Sequence, residues 1–233
     1  MDTVNTTNGK LGVGDLGRTL IHEHVAVGFP GWYLDVRQPK FKREEATARI
    51  VDMFQRLHDY GVRTVVDPCP MDLGRDVELC AAVAQKARIN IVCATGMYVE
   101  AMGISYTFAR MSVDEIVEVY VKEIEDGIAY SGIKAGVIKI ATGDGMVTDF
   151  ERKAVAAAAR AAKITGLPLI SHTEKLQLRP RPDRHRDGRR VAVAADAGRA
   201  LRRPRRSRLP ALTRGARRLR RFRPFRSGND RAR

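Results

Sequence analysis

The chain has 233 residues, 44% of them hydrophobic, which is enough to bury the core of one domain or of a small domain with an appendage. Its net charge of +15 is uneven: residues 1–175 hold 21 Lys and Arg against 23 Asp and Glu, whereas residues 176–233 hold 21 Arg and 4 Asp. Three cysteines without C-x-x-C spacing argue against a disulfide framework and against a cysteine-based zinc site. With neither a secretory signal nor a long apolar run in view, we expect a cytoplasmic protein without a membrane span.

The first part of the chain alternates short β-rich runs with longer helical patterns. The apolar runs predict strands at 18–24, 63–69, 89–96, 135–142 and 167–173. Apolar residues at three- and four-residue spacing predict helices at 43–61, 75–88, 112–132 and 149–166. We expect three of these helices to end near Gly61, Gly132 and Gly166, and Ser112 with Glu115 to form a capping box at the start of the third.

Buried strands that alternate with helices indicate an α/β fold with a parallel sheet and right-handed crossovers. The alternation alone fits both a barrel and a doubly wound sheet, and in both folds the chemistry lies at the carboxyl ends of the strands. In this chain, polar residues lie at or near the carboxyl ends of the predicted strands. They are His22, His24, Asp67, Tyr98, Lys139 and His172.

The stretch TLIHEHVAV places His22 and His24 two residues apart in an apolar run. Residues at this spacing on a strand point to the same face, so the two imidazoles would project together while Glu23 points away. Such a pair can chelate a divalent metal ion. A pair of hydrogen-bonded structural histidines is the alternative that this motif by itself leaves open.

Lys139 stands between Ile138 and Ile140 in a strand that must be covered on both faces. An ammonium group there needs a partner, because its burial costs several kcal/mol or lowers its pKa. A salt bridge to a carboxylate such as Asp67 is one solution. The other is a neutral amine that reacts with carbon dioxide to give an anionic carbamate, which can bridge two metals. His172, at the end of a later strand, favours this second interpretation.

The segments GRTLIHEHV, GIKAGVIKIAT and PLISHT, with DLGRD and VCATGMY in the same order, resemble the phosphotriesterase family of the amidohydrolase superfamily. The resemblance covers residues 1–175 and includes the lactonase-like members of that family. It implies a (β/α)8 TIM barrel with a two-metal site. By it, His22 and His24 would bind the more buried metal, N6-carboxylated Lys139 would bridge both metals, and His172 would bind the more exposed one.

The resemblance also implies the reaction, the metal ions and the class of substrate. A hydroxide shared by two metals would attack a phosphotriester, or a lactone or other ester, in a pocket lined by Tyr98. Zinc is expected for histidine ligands, with manganese, cobalt or iron as alternatives. No G-x-S-x-G nucleophile motif competes with this mechanism within residues 1–175. The substrate would be a small organophosphate, ester or lactone, and a homodimer is possible for the intact family member.

The family pattern stops after His172. The family requires a further histidine at the end of its sixth strand and an aspartate at the end of its eighth. His185 follows His172 too closely to come after another helix and strand, and we find no convincing eighth strand. We therefore expect weak metal binding, poor solubility and little activity from the 233-residue chain, because two ligands and the last barrel strands are missing.

Residues 176–233 have no Lys, Glu, Ile, Met, Tyr, Trp or Cys. Their Arg, Ala, Pro and Gly have G/C-rich codons, so we interpret this aberrant segment as the product of a reading-frame change near residue 176. A basic arm that binds nucleic acid nonspecifically, attached to a truncated, non-catalytic barrel, is the alternative. A bare α/β scaffold without metal is the third hypothesis.

Overall fold

The structure is a computed structural model and describes residues 2–37, 39–143 and 146–173. The Arg-rich segment 176–233 lies outside these residues. The predicted division of the chain at residue 175, the reading-frame change and the nucleic-acid contact all concern that segment, and they stay predictions. No helix in the described ranges is long and apolar enough to cross a bilayer.

The described residues form seven strands and five α-helices. The strands are β1 Thr3–Thr6, β2 Gly9–Gly12, β3 Arg18–Leu20, β4 Val62–Asp67, β5 Asn90–Gly96, β6 Val137–Thr142 and β7 Leu169–Thr173. The helices are α1 Arg43–Asp59, α2 Val77–Ala87, α3 Tyr106–Arg110, α4 Val113–Glu125 and α5 Asp149–Thr165. The predicted strands and long helices are thus confirmed, apart from the differences in length given below.

Strands β3 to β7 form one parallel sheet in which each strand pairs with the next strand of the chain. A doubly wound sheet reverses its strand order, whereas this order never reverses. Right-handed crossovers in a single direction place all the helices on one face of the sheet, which is the construction of a barrel. The topology therefore decides between the two folds that the sequence left open, and it favours the barrel.

The first sheet strand is shorter than the predicted 18–24 and ends at Leu20. The ladder with β4 shifts register between Arg18 and Thr19, and beyond Leu20 a single backbone hydrogen bond remains, from Glu23 N to Val66 O at 3.1 Å. The prediction that the two histidines end a strand is therefore wrong. They lie in the loop that follows it, because beyond Leu20 the segment no longer forms a ladder with β4.

The third long helix is also shorter than predicted, because α4 ends at Glu125 rather than near residue 132. Gly127, with φ +123°, breaks the helix, and a Cβ atom at this position would lie 2.8 Å from the backbone of Gly132. The two glycines therefore pack against each other, and Gly132 does not cap the helix. The predicted capping box is confirmed, because Ser112 and Glu115 bond reciprocally at the start of α4.

A hairpin of β1 and β2 precedes the sheet and was absent from the sequence-based prediction. It contacts the amino ends of two sheet strands: Thr7 N donates to Ile91 O at 2.8 Å, and Asn5 Nδ2 donates to Ala135 O at 2.9 Å. Val4 packs against the apolar residues of the sheet face that the helices do not cover. The hairpin therefore lies at the end of the sheet opposite to the predicted polar residues.

The two faces of the sheet have different surroundings. The helix face belongs to the large apolar core, to which α1, α2, α4 and α5 contribute. The other face, here called the inner face, carries a small apolar cluster of Val66, Val92, Ala94 and Val137. Lys139 alternates with Val137 along β6 and therefore belongs to the inner face. The inner face thus changes from apolar to polar toward the carboxyl ends of the strands.

Candidate metal centre

His22 and His24 lie side by side in the loop after β3. Their ring centroids are 5.4 Å apart and the rings meet edge to face at 75°. Both side chains are half-buried, whereas Glu23 between them is exposed. The predicted projection of the two imidazoles to one side is therefore observed, although a loop and a single backbone hydrogen bond to β4 produce it rather than a strand.

Lys139 is fully buried in β6, with 0% of its surface exposed. Its Nζ atom lies 3.5 Å from Nε2 of His22. No described carboxylate forms an ion pair with this amine; in particular, Asp67 lies close to His24 instead. The salt bridge to Asp67, which was the simpler explanation of a buried lysine, is therefore absent from the described part of the chain.

Burial lowers the pKa of the Lys139 amine to about 8, although the neighbouring Cys69 and Asp67 act in the opposite direction. Removing an ammonium group from water penalises its charged form, and no ion pair compensates here. The fraction of neutral amine near neutral pH is therefore larger than for an exposed lysine. Only the neutral amine has the lone pair that reacts with carbon dioxide.

Gly96 makes room for the β6 backbone that carries Lys139. The two residues are partners in the β5–β6 ladder. Gly96 has φ +122°, and a Cβ atom built on it would lie 1.9 Å from the carbonyl oxygen of Lys139. Any side chain here would push β6 away, so glycine is required for the position of the buried amine.

His24 contacts two residues from the end of β4. Its Nδ1 atom lies 2.9 Å from Sγ of Cys69 and 3.6 Å from Oδ1 of Asp67. The same aspartate oxygen accepts a hydrogen bond from the backbone N–H of Cys69 at 3.0 Å. With its proton on Nδ1, the ring of His24 would donate toward these two groups and keep the lone pair of Nε2 for a metal.

The thiols near Asp67 are held in their protonated form. Burial raises the pKa of Cys69, and the negative charge of Asp67 raises it further. The Cys69 thiol lies 3.0 Å from the carbonyl oxygen of Ala26, and Sγ of Cys80 lies 3.4 Å from Oδ2 of Asp67. These thiols therefore serve as weak hydrogen-bond donors to the carbonyl oxygen of Ala26 and the carboxylate of Asp67.

Tyr98 and His172 form a second pair. The Tyr98 hydroxyl lies 3.2 Å from Nε2 of His172, and the ring centroids are 5.3 Å apart. The backbone N–H of Tyr98 donates to both carboxylate oxygens of Asp72, at 2.8 and 2.9 Å. Tyr98, expected in the substrate pocket, therefore contacts a predicted metal ligand directly.

The sheet register relates this pair to Lys139. His172 is the ladder partner of Ala141, which is two residues beyond Lys139 on β6. Ladder partners point to the same face, and so do residues two apart on a strand. His172 and Lys139 therefore both lie on the inner face of adjacent strands. The structure thus brings together His22 with Lys139 and with His24, and Tyr98 with His172.

Cys69 and Asp72 are contacts that were missed in the sequence. Cys69 touches His24, and Asp72 binds the backbone of Tyr98. Both follow Asp67 within a few residues, at the carboxyl end of β4. The strand-end rule that identified Asp67 would have found them had it been applied to the loop as well as to the strand.

The donors fit a site for divalent metal ions. Imidazole nitrogens, and the oxygens of a carbamate on a buried amine, are suitable ligands for zinc and its neighbours in the transition series. A carbamate would also replace an unpaired buried ammonium group with an anion that the cations neutralise. His22, His24, Lys139 and His172 could hold such ions, and Asp67 and Cys69 would orient His24.

Comparison with known proteins gives one consistent family. The sequence profile of the phosphotriesterase family matches residues 2–182. The aryldialkylphosphatase of Saccharolobus solfataricus is 36% identical over 162 residues, which is 68% of this chain and 50% of that protein. A phosphotriesterase homology protein of Mycobacterium tuberculosis is 34% identical over 180 residues, 74% of this chain and 55% of that protein.

Solved structures agree with this match. A mutant of a PTE-like lactonase from Deinococcus radiodurans superposes with a TM-score of 0.70 at 37% identity, and covers 74% of this chain and 55% of its own. An organophosphorus hydrolase from the same organism gives 0.71 at 38% identity, with 74% and 54% covered. The chain spans about half the length of the relatives that it matches.

Proposed function

Because this chain belongs to the phosphotriesterase family, we propose that it carries part of the active site of a metal-dependent hydrolase that cleaves phosphotriesters or lactones. The names of its relatives support both substrate classes, since they include an aryldialkylphosphatase and a phospho-furanose lactonase. A small organophosphate, lactone or other ester is the proposed substrate. The three free cysteines suit a reducing compartment such as the cytoplasm.

The single observation that carries the proposal is the burial of Lys139 without a carboxylate partner, 3.5 Å from His22. We infer that its amine becomes a carbamate. The neutral nitrogen attacks the carbon of carbon dioxide, an N–C bond forms, and one proton leaves the nitrogen. The product is an anion with two oxygens, and it removes the energetic penalty of an unpaired cation in the sheet.

In this site His22 and His24 would hold one cation, His172 would hold a second, and the Lys139 carbamate would bridge both. When bound, such cations would supply a water nucleophile of lowered pKa and would polarise the phosphoryl or carbonyl oxygen of the substrate. Zinc is the first choice for imidazole ligands, and manganese, cobalt and iron are alternatives.

Other residues of the chain orient these ligands. Asp67 and Cys69 face Nδ1 of His24, which leaves Nε2 as its metal-binding atom. Tyr98 approaches Nε2 of His172, and Asp72 holds the backbone of Tyr98. Partners of this kind fix the ring orientation and tautomer of metal-binding histidines.

The 233-residue chain offers four of the six ligands of the family pattern. We propose that it retains metal weakly and hydrolyses esters slowly, because the histidine of the sixth strand and the aspartate of the eighth have no counterpart in its sequence. Retention of two zinc ions per chain, together with hydrolysis of a paraoxon-type ester or a lactone by the purified protein, would contradict this part of the proposal.

Carbamate formation can be tested directly. The purified chain is given zinc and carbon-13-labelled bicarbonate, and the carbon spectrum is recorded. We expect a carbamate resonance in the wild-type chain and in Lys163→Met, which removes an exposed lysine of α5. We expect none in Lys139→Met. If the wild-type chain shows no such resonance while binding zinc, the bridging role of Lys139 is wrong.

A further inference from the structure

Three side chains at the end of β4 and in the loop after β3 converge on one point. The ligand atoms of His24, Asp67 and Cys69 all lie within 4.8 Å of one another. They provide an imidazole nitrogen, a carboxylate oxygen and a sulfur. Of these side chains, Asp67 and Cys69 are buried and His24 is half-buried, so a small ion could enter past the imidazole ring. We propose that these three residues bind one thiophilic divalent cation, using Nδ1 of His24.

The separations agree with a tetrahedral ion. Bonds of about 2.0 Å to nitrogen and about 2.3 Å to sulfur place such ligand atoms roughly 3.5 Å apart. The observed distances from Nδ1 of His24 are 2.9 Å to Sγ of Cys69 and 3.6 Å to Oδ1 of Asp67. Binding would thus require the His24–Cys69 pair to open by about 0.6 Å, whereas the Asp67 oxygen is already at a suitable distance from Nδ1. Solvent or the Ala26 carbonyl oxygen, 3.0 Å from the sulfur, would complete the site.

The charges also balance. Cys69 is a thiol in the metal-free chain, so the cation would have to displace its proton to solvent. The thiolate and the Asp67 carboxylate would then neutralise the divalent cation, while the imidazole stays neutral. A buried site without net charge avoids the penalty of burying an uncompensated ion. The sulfur ligand selects soft cations such as zinc, cobalt or cadmium over magnesium or calcium.

This site takes Asp67 and Cys69 as ligands in place of His22, Lys139 and His172, and the proposal for it does not rest on the proposed hydrolase centre. The two share His24 but use different nitrogens of its ring. A neutral imidazole carries one proton, so a cation on Nδ1 leaves the proton on Nε2, and a cation on Nε2 leaves it on Nδ1. A cation bound to Nδ1 of His24 therefore excludes a cation bound to Nε2. Thiophilic ions at Cys69 would compete with metal binding beside Lys139.

The test uses cobalt(II) alone, because a thiolate ligand gives it a charge-transfer absorption in the near ultraviolet that imidazole and carboxylate ligands do not give. The full chain is titrated with cobalt(II) beside four variants: Cys69→Ser, His24→Ala, Cys93→Ala and His172→Ala. Cys93→Ala is the matched control, since it removes another buried thiol, on β5. Circular dichroism identifies variants that fail to fold. Displacement of the bound cobalt by cadmium provides a second measurement of the same site.

We expect a saturable band in the wild-type chain, in Cys93→Ala and in His172→Ala. It should vanish in Cys69→Ser, and the affinity should fall at least about tenfold in His24→Ala. Absence of the band from the wild-type chain overturns the proposal, and so does its persistence in Cys69→Ser, which would assign the thiolate to Cys80 or Cys93. Loss of the band in His172→Ala would also overturn it. A carbamate on Lys139 would favour the competing cation at Nε2 of His24, so the titration is repeated with Lys139→Met, which cannot form the carbamate and should keep the band.

Discussion

The amine of Lys139 and the imidazole of His22 lie 3.5 Å apart, although 117 residues separate them in the chain. One belongs to a buried strand and the other to a loop outside the ladder. The contact exists because β3 and β6 are brought to a common inner face by the uninterrupted strand order of the sheet.

Replacing Lys139 by Met separates the stability of the fold from its metal chemistry. The unpaired buried amine destabilises the metal-free chain, so Lys139→Met should raise the free energy of unfolding by about 1–3 kcal/mol. The same variant should lose the zinc-dependent increase in Tm. Urea unfolding with and without zinc measures both effects. Lys163→Met, at an exposed position, should change neither by more than about 0.5 kcal/mol. A lower stability for Lys139→Met would show that the amine has a structural partner.

Gly96→Ala should destabilise the sheet by about 3 kcal/mol or more, since it combines a left-handed backbone with a clash against β6. The added Cβ would lie 1.9 Å from the carbonyl oxygen of Lys139. Thermal unfolding measures the loss. Gly14→Ala is the control, because a Cβ at Gly14 has no neighbour within 4 Å. Equal stability of Gly96→Ala and Gly14→Ala would mean that β6 can move away from the added Cβ at little energetic cost.

Tyr98→Phe removes only the hydroxyl that lies 3.2 Å from Nε2 of His172. Loss of such a partner typically lowers metal affinity about 10- to 100-fold, while the fold loses about 1 kcal/mol or less. Isothermal titration with zinc measures the affinity. Tyr130→Phe, which alters a fully exposed ring, is the matched control. Unchanged zinc affinity in Tyr98→Phe would mean that the hydroxyl does not support His172 as a metal ligand and contributes only to the substrate pocket.

Asp76 gives a pH dependence that is independent of the metal site. It caps α2 through Leu79 N at 2.9 Å and binds Arg43 of α1. Burial acts to raise its pKa, but the hydrogen bonds from Arg43 and Leu79 outweigh burial and hold the pKa below its ordinary value. A carboxyl with a lowered folded-state pKa stabilises the protein above its unfolded pKa, and this contribution is lost as the pH falls through the folded value.

Asp76→Asn keeps the cap but loses the charge, so it should cost about 1 kcal/mol or less at neutral pH. This difference from the wild type should shrink below about pH 4, the range of an ordinary aspartate. Urea midpoints recorded across this range test the prediction, with the exposed Asp2→Asn as the control. A difference that does not change with pH would mean that Asp76 acts only as a cap.

Much of the sheet was predictable, because its strands are continuous apolar runs and its helices have a clear amphipathic period. The ends of strands and helices were less predictable where tertiary contacts determine them. His22 and His24 lie in an apolar run that resembles a strand, yet the segment leaves the ladder after Leu20. Gly127 and Gly132 both look like helix ends, and only the packing between them shows that Gly127 breaks α4.

The candidate site was predictable as a set of residue types at strand ends, but not as a set of contacts. Cys69 is an ordinary small residue in the sequence, and its approach to His24 depends on how two loops meet. The early hairpin was missed because its strands have four residues each and few apolar side chains. The Asn8–Gly9 step, with Gly9 at φ +101°, is the turn signal that would have indicated it.

The hairpin also constrains the order in which the chain can fold as it is synthesised. Asn5 is translated before its acceptor, because Ala135 lies 130 residues later in the chain. Each strand–helix–strand unit can close as soon as its own short segment has emerged, whereas the amino end of the sheet must wait for β6. The hairpin is therefore translated before the sheet, but it reaches its final position only after β6 has been made.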